Sequence, residues 1–124
     1  MKDIENTVLN TVKTALVAEY PDLYFTADYV PQSSKFPTVS CVELSNVTYM
    51  PGTAMDMQEQ LATVEYQFEV FTYGAAKKRD GKKIRDIIDS AMATLQFTRT
   101  FSSAIPNSAD LRIWRYVSRY TKII

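Results

Sequence analysis

Histidine is absent from this chain of 124 residues. That removes any Ser-His-Asp or Cys-His nucleophile system and the commonest metal ligand. Cysteine occurs once, at Cys41, so an intrachain disulfide and a Cys-x-x-Cys zinc or redox site are both excluded. Glycine is scarce, with three residues, and neither GxGxxG nor GxxxxGK[ST] is present to cradle a phosphate. No apolar run approaches the roughly 18 residues that a membrane-spanning helix needs. The start, MKDIENTV, lacks the apolar core of a secretory signal. With the lone cysteine, this predicts a protein made in a reducing cytoplasm.

What is present is the composition of one ordinary globular domain, 46% apolar and 23% charged. Eight Tyr, six Phe and one Trp argue for packed sheet rather than disorder. The net charge of zero conceals an asymmetry. Residues 1–70 hold three bases against ten acids, a net of −7, and residues 71–124 hold eleven against four, a net of +7. If the fold keeps these halves apart, the molecule has self-complementary faces suited to head-to-tail association.

Along the chain, Ile4, Val8, Val12 and Leu16 recur at helical spacing, predicting a helix over 3–19 with Asp3 as N-cap and Pro21 as its stop. Tyr24–Val30 and Thr38–Leu44 read as strands, and the polar PQSSKF between them as a hairpin tip. Cys41, mid-strand, reads as a small buried apolar side chain. From Ser45 to Gln60 the pattern breaks around Pro51-Gly52, predicting a projecting loop or hairpin near 46–60. Met50, Met55 and Met57 there are expected to give flexible apolar contacts to a partner.

The next strand is the clearest. Val64, Tyr66, Phe68 and Val70 face a core, while Glu65, Gln67 and Glu69 form a wet stripe. GAAKKRDGKK follows, read as a loop whose Lys77, Lys78, Arg79, Lys82 and Lys83 meet phosphates or an acidic neighbouring surface. A second helix is predicted from Ile84, Ile87, Ile88, Ala91, Met92 and Leu95, with Asp80 as cap and Asp86 and Asp89 on its solvated face. Phe97–Phe101 reads as a short strand and SSAIPNSAD as a turn. In the closing strand Leu111, Ile113 and Val117 share one face with Arg115 and Arg119. Trp114, Tyr116 and Tyr120 share the other, so both faces are expected to be covered, with Trp114 and Tyr116 as candidate contacts to another subunit. The order α-β-β-β-α-β-β predicts an α+β domain, a mainly antiparallel sheet of about five strands with two helices packed against it.

No residues assemble into a catalytic, cofactor or metal constellation in this sequence; the carboxylates at Asp86, Asp89, Glu65 and Glu69 lack a nameable partner set. The expectation is a non-enzymatic association protein. A nucleic-acid-binding module using the 77–83 bases is the alternative, although no aromatic stacking platform sits beside them.

Several segments together resemble a known family. They are Tyr20-Pro21 closing the first helix and Phe36-Pro37-Thr38-Val39-Ser40-Cys41-Val42-Glu43 opening a strand. Then come Tyr66, Phe68, Val70 and Tyr73 before a basic stretch, the helix IRDIIDSAMATLQF, Ile105-Pro106-Asn107, and the closing RYVSRY. The chain is similar over its length to the tail-terminator, or tail-completion, proteins of long-tailed bacteriophages and prophages, sometimes labelled minor capsid proteins. The resemblance implies a six-membered homo-oligomeric ring in the virion, at the junction of tail and head, assembled in the host bacterial cytoplasm. Its partners would be the tail tube protein and the head connector or completion protein. DNA would pass through a neutral or acidic channel without specific binding, and no membrane would be involved. A head-completion or tube protein of the same particle is the near alternative.

Overall fold

The computed structural model describes residues 3–28, 36–48, 61–106 and 111–124. Helix α1 (Glu5–Glu19) is followed by strands β1 (Tyr24–Thr26), β2 (Thr38–Thr48) and β3 (Ala62–Tyr73), helix α2 (Lys77–Thr94), and strands β4 (Thr98–Pro106) and β5 (Ile113–Ile123). The α+β expectation holds: the strands form one sheet in the order β1-β2-β3-β5-β4, with every pairing antiparallel except β1 with β2.

That exception corrects the hairpin expected between β1 and β2. Tyr24, Phe25 and Thr26 lie parallel to Thr38, Val39 and Ser40. After Thr26 the chain turns out of the sheet. The Asp28 amide donates to Thr26 Oγ1 at 3.1 Å, and the Asp28 carbonyl accepts from Ser40 Oγ at 2.7 Å. The polar 31–35 segment lies outside the described residues. Strand β2 also runs past its expected end at Leu44. A bulge between Glu43 and Ser45 shifts the pairing by one residue, which scrambles the alternation from which a strand is read.

Helix α1 buries the stripe Val8, Val12 and Leu16 completely. Its N-cap is Ile4 rather than Asp3, but the Asp3 carboxylate still accepts from the Glu5 amide at 3.0 Å. Helix α2 ends in a paired closure: the Phe97 amide donates to the Met92 carbonyl and the Gln96 amide to that of Ala93, with Gln96 at φ +66°. This is the left-handed turn usually given to glycine, and it sends Phe97 into the core beside Met92.

Between helices and sheet lies one core of Val8, Val12, Leu16, Val39, Cys41, Val64, Tyr66, Phe68, Ile84, Ile88 and Met92, joined by Phe97, Tyr116 and Tyr120. Edge-to-face ring pairs, Tyr66 with Phe97 and Phe68 with Tyr120, both at 5.8 Å, tie strands to the end of α2 and to each other. Two of the buried tyrosines carry their hydroxyls to carboxylates at the rim of the core. Tyr66 donates to Glu43 Oε2 at 2.9 Å and Tyr120 to Asp89 Oδ1 at 3.0 Å. Asp89 also accepts from Arg99 at 2.9 Å, so it ties α2 to β4 and β5 rather than only facing solvent.

Burial first, and then the adjacent carboxylate, push the ionisation of both tyrosines up, and burial does the same to the Cys41 thiol. A folded-state pKa above the unfolded value near 10 means this stabilisation is whole below about pH 10 and is lost as pH rises through the folded values. Stability measured by denaturant midpoint should therefore begin to fall above about pH 9 through the Cys41 thiol, and more steeply above about pH 10, by up to about 1.4 kcal/mol per pH unit more for each tyrosine. Replacing both by Phe should flatten that fall; an unchanged slope would contradict the assignment.

Candidate functional site

The predicted basic residues and the predicted aromatic residues meet in the structure. The stretch read as a loop is helical: α2 begins at Lys77, so Lys77, Lys78, Arg79, Lys82 and Lys83 occupy its first two turns. Lys and Arg are good helix formers, which the loop reading underweighted. Asp80 lies inside the first turn instead of capping it, and the N-cap, Ala76, makes no side-chain bond. Cations at the start of a helix oppose its dipole, at a few tenths of a kcal/mol each. Their position therefore has to be held by other contacts.

Gly81 provides the main one. It faces β5 and is buried, and a Cβ built there would be driven into Cε3 and Cζ3 of the Trp114 indole. Glycine is needed because the helix backbone and the indole approach too closely for any side chain. The indole stacks on Tyr116 at 5.3 Å, and the Arg85 guanidinium lies over the Tyr116 ring at 5.1 Å. Burial works against the Arg85 charge, but its bonds with Asp86 and Tyr116 outweigh this and raise its pKa. Two further bonds pin the first turn: Thr72 Oγ1 donates to the Lys77 carbonyl at 2.6 Å, and Lys77 Nζ donates to the Leu111 carbonyl at 2.8 Å. Tyr116 is buried, with its hydroxyl bonded to that of Ser102. Trp114 is half-buried beneath α2.

Four of the five bases remain on the surface. Lys78, Lys82 and Lys83 are exposed, and Arg79 reaches Asp80 at 3.8 Å. They divide by side. Lys78, Lys82, Arg85 and Asp89 share one stripe at helical spacing, and Arg85 and Asp89 contact Tyr116 and Arg99 on the β5–β4 side. Lys83, Ile87, Ser90 and Thr94 form another stripe, which lines a groove of about 610 Å³ against Ala15 and Glu19 of α1. Met50, Met55 and Met57 lie outside the described residues.

The sheet face turned away from the helices departs from the expected wet stripe. Glu69 is 2% exposed. Its Oε1 accepts from Arg115 Nη2 at 3.0 Å and from Gln67 Nε2 at 3.1 Å, while Gln67 Oε1 accepts from Arg119 Nε at 2.9 Å. Glu69 Oε2 and Arg115 Nε are buried without a hydrogen-bond partner. Breaking a buried pair of this kind from one side costs about 3–5 kcal/mol, because it strands the other charge. The signal for it was available: Val70-Phe71 breaks the alternation, showing that this end of β3 is covered on both faces. Gly81 was likewise a usable signal, since an isolated glycine inside a helical pattern marks a close approach.

The acidic half has a concentration of its own. The carboxylates of Asp3, Glu5 and Glu43 lie within 4.8 Å of one another, where the start of α1 meets β2, and none pairs with a described cation. Among the described residues no helix is long and apolar enough to cross a membrane.

A scan against protein-family models finds no match, and a search of curated proteins finds none either.

In an open helix position Gly→Ala gains about 1 kcal/mol. Here Gly81→Ala should instead destabilise by about 1–3 kcal/mol, because the methyl overpacks Trp114. Adding Trp114→Ala should recover part of the loss, a non-additive pair in chemical denaturation. A stabilised Gly81→Ala protein would contradict the contact.

Proposed function

We propose that this chain is a structural assembly protein of a long-tailed phage or prophage, forming a ring that terminates the tail tube and joins it to the head connector. The observation that carries the reading is the layout of charge. The chain crosses its sheet once: β1, β2 and β3 come from the first 73 residues, and β5 and β4 follow on the far side. Among the described residues, the acidic half and the basic half therefore occupy opposite flanks of the sheet instead of being interleaved. Flanks of opposite sign on one molecule favour heterologous contacts between copies, and such contacts close into rings when the rotation allows. The segments from Tyr20-Pro21 to the closing RYVSRY, which resemble tail terminators, supply the particular assembly. With neither histidine nor a second cysteine, the chain brings no nucleophile system that would favour a competing reaction.

A nucleic-acid-binding module is the weaker reading. It needs aromatic faces to stack on bases beside the cations. Tyr116 is buried and Trp114 is held between Gly81 and Tyr116, so neither presents a free face there.

Mixing the protein with the tail tube protein of its own particle tests the proposal. Electron microscopy should show tubes that stop growing and carry a ring of this chain at one end. Incorporation along the tube length would make it a tube subunit, and no association with tubes would contradict the proposal outright.

A further inference from the structure

We infer that the Lys78–Lys82 stripe of α2 docks on the acidic flank of a second copy of this chain, at Asp3, Glu5 and Glu43. This rests on the reading of the chain as a self-assembling protein and names the surfaces that such assembly uses. Lys78 and Lys82 are exposed, lie on the β5–β4 side of α2, and make no ion pair with a described residue. Gly81 and Trp114 hold this turn of α2 on β5 against the helix dipole, so the placement of the two lysines is not explained by helix stability. The three carboxylates sit beyond the opposite flank, where α1 begins beside β2, and they repel one another without a described cation between them. One protomer cannot bring its own two surfaces together across the sheet. Two copies related head to tail relieve both charge excesses at once. Each added copy leaves one surface of each kind open, as a closing ring requires.

Zero-length carbodiimide coupling joins a lysine amine only to a carboxylate in contact with it. Applied to assemblies grown from equal parts of ¹⁵N-labelled and unlabelled protein, it should give mixed-isotope crosslinks from Lys78 or Lys82 to Asp3, Glu5 or Glu43. In sedimentation, K78E/K82E should self-associate about tenfold more weakly than the parent chain, and D3K/E5K added to the same chain should restore association. All four positions are at least partly open to solvent, and circular dichroism verifies the fold of each variant.

Crosslinked assemblies whose lysines join other carboxylates, or K78E/K82E that associates normally, overturn the docking surface while leaving self-assembly intact. Protection of the two lysines only when duplex DNA is added would assign the stripe to nucleic acid and overturn it also. A chain that neither self-associates nor joins the tube protein removes the underlying reading as well.

Discussion

The contact between Gly81 and the Trp114 indole is the constraint on which the arrangement of this molecule depends. A helix whose first turns carry five cations has little reason to start where it does. Its dipole disfavours them, and its N-cap gives no side-chain bond. What fixes the start is a backbone without a side chain pressed on an indole, an indole stacked on Tyr116, and Tyr116 covered in turn by Arg85. The same strand carries Tyr120 to Asp89 two turns further along α2, so β5 holds the helix near both ends. Local preference is overruled here by packing, and sequences tend to accept such conflicts where a surface is needed for something else.

Sheet order then turns a chain-level imbalance into a spatial one. Had β4 or β5 inserted between β1 and β2, the acidic and basic halves would have been mixed. Because β5 pairs with β3 and leaves β4 outermost, the halves stay apart. The helix-free face adds a second layer of charge control. Glu69 and Gln67 hold Arg115 and Arg119 across the central strand pair, so the cations nearest the acidic half are already engaged. Among the described residues of the basic half, the lysines left without such a partner are Lys78, Lys82 and Lys83 of α2.

Much of the fold was readable from periodicity. The α1 stripe and the alternation from Val64 to Val70 came through because each buries one regular face. The α2 stripe from Ile84 to Met92 did too. Three things did not. The bulge at Leu44 shifts the alternation of β2, so its last four residues carry no strand pattern. Nearby strands usually pair antiparallel, and nothing local announces the three-residue parallel edge of β1 on β2. Charge reads as a sign of solvent at Asp89 and at Glu69, and in both places the carboxylate instead finds partners that only the tertiary fold supplies, Tyr120 and Arg99 for Asp89 and Arg115 for Glu69. The candidate surface was thus legible by residue type but not by conformation. The bases were named, and their helical placement over Trp114 was not.

Native-state hydrogen exchange at the amides of Asp80 to Ile84 measures that placement directly. If Trp114 and Gly81 hold the basic turns on β5, these amides are protected in the parent chain. In Trp114→Ala they lose that protection, while the amides of β3 keep theirs. Exchange of the same amides at unprotected rates in the parent chain would show that the bases lie on a loop after all, and the flank on which the assembly argument stands would be gone.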